Sequence, residues 1–181
     1  MNRNWGLRFD GLGEDIEKII INYLSNSNNK RFIYAEIGAG TCLTMRAIYD
    51  IVKENIKHND WSIWGLDIEN GYSLDWDKIN TAFSQEELQL YVNRQRKNVS
   101  YGHAQLYIEK EPRKWIENID NNSLNIALID ADHSYREVTK DFLAIENKVI
   151  RGGLIGFHDT CVLSQGTDYQ SFGDDFINHI T

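Results

Sequence analysis

Apolar positions recur along this chain with two alternating periods, one of helix type and one of strand type. Between Asp15 and Leu24, residues Ile16, Ile19, Ile20 and Leu24 share one helical face, and the polar run SNSNNK closes that helix as a loop. Arg31 to Ile37 (RFIYAEI) is a short apolar run of strand type that passes directly into Gly38-Ala39-Gly40, after which helical spacing resumes from Thr41 to Asn55. WSIWGL, Trp61 to Leu66, predicts a second strand ending at Asp67, followed by a loop carrying Tyr72 and Trp76. Ser84 and Glu87 form a capping box, which predicts a helix from Gln85 to Arg96, and Val99 to Tyr101 is the expected third strand. Pro112 suits the first turn of a helix over Lys110 to Ile119. Leu124 to Ile129 (LNIALI) predicts a fourth strand ending at Asp130, and a second capping box, Ser134 with Glu137, launches a helix to Val149. Arg151-Gly152-Gly153 stops it before a fifth strand, Leu154 to Phe157, and the tail has the spacing of a short helix, Phe172 to Ile180.

Strands alternating with helices at this spacing require crossover connections and a parallel sheet covered on both faces, so the expected class is doubly wound α/β. No repeat or change of composition divides residues 1–181, which read as a single domain. The chain is 41% hydrophobic and 25% charged with one proline, which excludes disordered and low-complexity classes. Its formal charge of -8 argues against nucleic acid or anionic lipid as a partner and in favour of a small or cationic ligand. Cys42 and Cys161 lie far apart without CxxC spacing, and no run approaches the roughly 18 apolar residues of a membrane span, so a cytoplasmic protein with reduced thiols is expected.

Ligands of such sheets bind beyond the carboxyl ends of the strands, and the polar residues of this chain gather there: Glu36 to Gly40, Asp67, His103, Asp130 to His133, and His158-Asp159. The glycine turn AEIGAG suits a dinucleotide or S-adenosylmethionine. Leu43 stands where a dinucleotide fingerprint would carry its third glycine, and Glu36 would repel a pyrophosphate but attract the ammonium and sulfonium of S-adenosylmethionine. Asp67 is placed to accept from both ribose hydroxyls.

The segments AEIGAGTCLT, GLDIE, YGHA, IALIDADHSYREVTKDF and RGGLIGFHDT, in this order over Phe32 to Thr160, resemble class I S-adenosylmethionine-dependent methyltransferases. More narrowly they are similar to the macrocin-type and catechol-like metal-dependent O-methyltransferases. That resemblance implies a Rossmann-like three-layer sandwich with strand order 3-2-1-4-5, whose usual C-terminal antiparallel hairpin is absent or truncated here. It implies that Glu36, Gly38, Gly40 and Thr41 hold the methionine part, Asp67 and Ile68 the ribose, and His103 and Ala104 the adenine, with Asp130 bordering the cofactor. A divalent ion, magnesium or manganese, would be held by Asp130, His158 and Asp159. His133, where catechol-type enzymes carry lysine, would take the proton of a small hydroxylated acceptor, with Asp130 as its catalytic partner. His158 at a position usually filled by an oxygen donor shifts preference away from magnesium. Three other readings use the same residues: a non-catalytic nucleotide-binding module, an NAD-dependent oxidoreductase, and a non-haem iron hydroxylase. An unpaired sheet edge favours a homodimer.

Overall fold

The computed structural model describes residues 12–26, 31–69, 71, 74–99, 102–158 and 175–178. Its elements are α1 (Leu12–Asn26), β1 (Phe32–Ile37), α2 (Leu43–Asn55), β2 (Trp61–Ile68), α3 (Trp76–Ala82), β3 (Leu88–Val92), β4 (Gln95–Arg96), β5 (Ala104–Glu109), α4 (Pro112–Ile116), β6 (Leu124–Ile129), α5 (Tyr135–Ile145), β7 (Val149–Phe157) and β8 (Asp175–Asn178). They build one eight-stranded sheet of order β4-β3-β5-β2-β1-β6-β7-β8. Its five central strands, β5, β2, β1, β6 and β7, are parallel and stand in the expected 3-2-1-4-5 arrangement.

The sheet is covered on both faces because its strands are apolar on both. Along β1 all six side chains are buried, and they divide by pleat. Phe32 and Tyr34 join Met45, Ile48 and Val52 of α2 and Ile20 of α1. Ile33, Ala35 and Ile37 join Ile116 of α4 and Ile145 of α5 on the other side. Each fully buried Ile or Leu contributes on the order of 1.5–3 kcal/mol, so a one-residue slip of β1 would forfeit both cores.

The chain departs from its local signals at three places. The Ser84 box does form, with Ser84 N–H donating to Glu87 Oε2 (3.2 Å) and Glu87 N–H to Ser84 Oγ (3.3 Å), yet it closes a single turn and no helix follows over Gln85 to Arg96. Instead β3 and β4 make a hairpin through Asn93 and Arg94, whose φ values of 48° and 64° suit a two-residue turn, and β3 pairs in parallel with β5. Leu88-Gln89-Leu90-Tyr91-Val92 alternates as a strand, and the pairing with β5 outweighs the cap. The third core strand is Ala104–Glu109 and not Val99 to Tyr101; Val99 is exposed, and Tyr101 lies outside the described residues.

The third departure concerns β7 and the tail. α5 ends at Ile145, and after a short 3-10 turn β7 starts at Val149, five residues earlier than expected. Its register jumps from Leu124↔Val149 to Ile126↔Leu154, so the Arg151-Gly152-Gly153 segment bulges out, with Gly152 at φ 77°. Asp175–Asn178 is a strand antiparallel to β7 where the spacing suggested a helix. This single strand stands in place of the usual two-strand hairpin among the described residues. It covers the β7 edge from which a homodimer was argued.

Candidate functional site

All five central strands end at one edge, and that edge holds the polar residues the fold buries least willingly. β1 ends in the glycine turn. Gly38 N–H and Ala39 N–H both donate to the carbonyl of Leu66 on β2 (2.8 and 3.3 Å), which draws the turn over the end of β2. Gly38 has φ 93°, and a Cβ there would meet the Asp130 carbonyl oxygen at 2.2 Å, so the close approach of the β1 and β6 ends admits only glycine. Gly40 N–H donates to Asp67 Oδ2 (2.7 Å), and Ile68 N–H donates to Asp67 Oδ1 (2.7 Å). Asp67 therefore ties the glycine turn to the end of β2.

Glu36 lies on the same face of β1 as Tyr34, whose hydroxyl donates to Glu36 Oε2 (3.1 Å). Glu36 is 2% exposed and Asp67 5% exposed. Two buried carboxylates this close to a glycine turn give it a negative potential, and it acts on Cys42 beneath them. Burial, then Glu36, then Asp67 push the Cys42 thiol far above its ordinary pKa, so it is a packed, protonated thiol and no nucleophile.

Thr41 continues the turn, half-buried, and Ile68 closes β2 at the same edge with 48% of its surface exposed. His103 and Ala104 do not join them. Because the third strand runs Ala104–Glu109, these residues start it and lie at the opposite, amino edge. His103 Nδ1 sits 2.7 Å from the Trp61 carbonyl, and its ring stacks on Trp61 at 3.9 Å and 9°. Trp61 opens β2 and Asp67 nearly closes it, so about 20 Å of strand separates them, at about 3.3 Å per residue. Ala104 is fully buried in the core. The residue at the carboxyl end of that strand is Glu109, 5% exposed; its side chain accepts from Arg94 N–H (2.9 Å) and its carbonyl from Glu69 N–H (2.9 Å). The alternation of AQLYIE marks that strand in the sequence and would have placed Glu109 at the edge.

The ends of β6 and β7 hold the second half of the site. Asp130 N–H donates to the Ile37 carbonyl (2.8 Å) and His158 N–H to the Ile129 carbonyl (3.0 Å), so both residues are fixed by sheet pairing. His133 stands on the turn before α5, where Asp132 Oδ1 accepts from Ser134 N–H (2.8 Å) and Ser134 caps the helix by accepting from Glu137 N–H. Asp130 Oδ1 is 2.8 Å from His158 Nδ1 and 3.4 Å from His133 Nε2, and the two rings meet edge to face at 5.5 Å. One donor atom from each of the three lies within 4.8 Å of the others, a grouping that could hold a divalent ion. Of the expected ligands Asp130 and His158 thus come together, Asp159 lies outside the described residues, and His133 joins as a donor the resemblance did not assign. Tyr72 and Cys161 also lie outside them, while Trp76 opens α3 half exposed.

The chain is similar to several solved structures in which it covers most of its own length. One assigned as a spermidine synthase from Corynebacterium glutamicum matches at TM-score 0.54 with 12% identity over 87% of this chain and 50% of that one. Another, assigned as a caffeoyl-CoA O-methyltransferase from Staphylococcus aureus, matches at 0.54 with 13% identity over 85% and 58%. A methyltransferase from Podospora anserina solved with S-adenosylhomocysteine bound matches at 0.51 with 13% identity over 80% and 52%. This chain therefore spans about half the length of the structures it matches, and at these identities the likeness is one of fold. No curated protein matches it. Among the described residues no helix is long and apolar enough to cross a membrane. A family model described as a methyltransferase domain matches residues 35–160, from the middle of β1 past the end of β7 and so over the whole edge just described, and on that match the chain belongs to the methyltransferase-domain family.

Proposed function

We propose that the chain transfers the methyl group of S-adenosylmethionine to an oxygen of a small hydroxylated acceptor, sugar-like or phenolic. The observation that carries this reading is the buried pair Glu36 and Asp67 flanking a glycine turn. Buried carboxylates at a ligand site favour a cationic guest, and the ammonium and sulfonium of S-adenosylmethionine are cations that a pyrophosphate-bearing dinucleotide lacks. Glu36 and the Gly38–Gly40 turn would hold the methionine part and Asp67 the ribose hydroxyls, with Ile68 against the sugar and base; Glu109 replaces His103 and Ala104 as the edge residue nearest the adenine. In the transfer, the acceptor oxygen forms a bond to the methyl carbon as the carbon–sulfur bond breaks, S-adenosylhomocysteine leaves, and the hydroxyl proton is lost at the Asp130, His133, His158 cluster. Most of the acceleration would come from holding oxygen, methyl carbon and sulfur in line. A divalent ion held by Asp130 and His158 would supply a lowered pKa for the acceptor hydroxyl.

Calorimetric titration with S-adenosylmethionine, S-adenosylhomocysteine and NAD tests the reading. The expected result is binding of the first two and not of NAD, lost in Glu36→Ala. Binding of NAD alone would replace it by the oxidoreductase reading. Binding of the methyl donor without transfer to any hydroxylated acceptor would leave a non-catalytic module.

A further inference from the structure

The three side chains at the β6 and β7 ends present a donor set different from the oxygen cage that magnesium requires. Magnesium takes near-octahedral oxygen ligands and keeps several waters, and imidazole is a poor substitute for either. Here one carboxylate meets two imidazoles, and imidazole nitrogen suits zinc, copper, iron and nickel. The separations agree with a shared ion. For metal–ligand bonds of about 2.0–2.2 Å, neighbouring donors on one ion stand about 2.8–3.6 Å apart, from right-angled to tetrahedral geometry. Asp130 Oδ1 is 2.8 Å from His158 Nδ1 and 3.4 Å from His133 Nε2.

The support of each ligand is also of the right kind. Asp130 and His158 hang from strand ends locked by the Ile37 and Ile129 carbonyls, and His133 from a turn locked by Asp132 and the Ser134 cap. Backbone pairing fixes the points from which the three ligands project, which lowers the ordering cost when an ion arrives. The side chains of Asp130, His158 and His133 remain 21%, 27% and 36% exposed, so the outward side is open to an oxygen of a second molecule. A closed structural zinc site would have buried them.

From these observations we infer that Asp130, His133 and His158 form a two-imidazole, one-carboxylate site for a borderline divalent transition-metal ion, selective against magnesium, with His133 Nε2 as its third protein ligand. The inference deepens the reading of the chain as a methyltransferase acting on a hydroxyl, and it changes one role there. With its Nε2 on the ion, His133 has no lone pair for the acceptor proton, which passes to solvent.

The test is metal binding by the full chain, without any turnover. Stripped protein is titrated with Mn(II), Zn(II), Co(II) and Mg(II), and the Co(II) form is followed by its visible d–d absorption. The expected result is one equivalent bound, at least 100-fold tighter for Zn(II) and Co(II) than for Mg(II), with Mn(II) in between. His133→Ala and His158→Ala should each weaken Co(II) binding at least tenfold and move the absorption band, with thermal unfolding of the metal-free variants close to the parent. Should His133→Ala fold poorly, His133→Gln and the imidazole 15N shifts of His133 on adding Zn(II) give the same readout. Equal affinity for Mg(II), or a Co(II) spectrum unchanged in His133→Ala, would overturn the inference. S-Adenosylhomocysteine titration of the same samples separates the two claims: cofactor binding with no metal preference sinks only the site, and metal binding without cofactor affinity sinks only the methyltransferase reading.

Discussion

Gly38 shows how much of the site depends on a missing side chain. Its φ of 93° and the Asp130 carbonyl 2.2 Å from where a Cβ would stand mean that Gly38→Ala meets two penalties together, left-handed backbone and a clash between main chains that cannot rotate away. Gly152 meets only the first, because a Cβ at its φ of 77° finds nothing within 4 Å. We expect Gly152→Ala to lose about 1 kcal/mol, and Gly38→Ala at least about 3 kcal/mol, as the sum of strain and displaced backbone. Urea unfolding of the two variants checks this; equal losses would mean that the β1 and β6 ends can part at little cost. At the same scale Glu36 and Cys42 illustrate what neighbours do to chemistry. The polar residue is buried and accepts from Tyr34, whereas the thiol that looks reactive is silenced by burial and by the carboxylates above it.

Among the elements, the two capping sequences share one pattern and have opposite outcomes, and only the Ser84 one closes as a reciprocal box, because Ser134 N–H donates to Asp132 instead. Ser134 with Glu137 starts an 11-residue helix that buries Ile145 in the core and Asp141 against Arg113 of α4. Ser84 with Glu87 makes its reciprocal hydrogen bonds and then yields to β3, because Leu88, Leu90 and Val92 alternate and β5 offers a partner. A cap is worth about 1 kcal/mol, less than a strand gains by pairing along five residues and burying one face. Ser134→Ala should therefore lower stability by about 1 kcal/mol, and it should also loosen the turn that carries His133. Denaturant unfolding measures the first effect, and hydrogen exchange at Glu137 and Val138, whose amides lie over the Ser134 carbonyl, measures the second. Unchanged exchange there would show that Asp132 alone holds the turn.

Across the whole molecule, α4 and α5 are stapled by Arg113, which reaches Glu137 (2.7 Å) and Asp141 (2.7 Å) from a helix some two dozen residues away. The Lys140 ammonium, then Arg113, hold the Glu137 carboxyl below the ordinary glutamate value. Asp132, which accepts from Ser134 N–H, is likewise depressed. A depressed carboxyl contributes stability above its unfolded pKa and loses it as pH falls through the folded one, so this face of the sheet should weaken below about pH 4.3. Asp141 runs the other way: burial outweighs Arg113 and raises its pKa, so its protonation in acid offsets part of that loss. Urea midpoints at pH 7 and pH 3.5 should show a decline, smaller in Arg113→Met. An Arg113→Met variant with the parent's full acid dependence would place the effect elsewhere in the chain.

The sequence by itself determined the doubly wound class, the Glu36–Gly40 turn and Asp67 at the strand ends, which follow from apolar periodicity and from short motifs whose meaning is carried within a few residues. Through its family resemblance it also implied the order of the five central strands and the pairing of Asp130 with His158. Tertiary structure decided the rest. Whether a capping box becomes a helix or a hairpin depends on a strand sixteen residues further on, and the start of the third strand at Ala104, five residues later than expected, moved His103 to the amino edge and brought Glu109 to the carboxyl edge. The tail became β8 because the β7 edge offered unpaired backbone groups, which no local pattern records. His133 as a donor beside Asp130 and His158 rests on distances between loops 25 residues apart, and contact between such residues is a property of the folded chain alone.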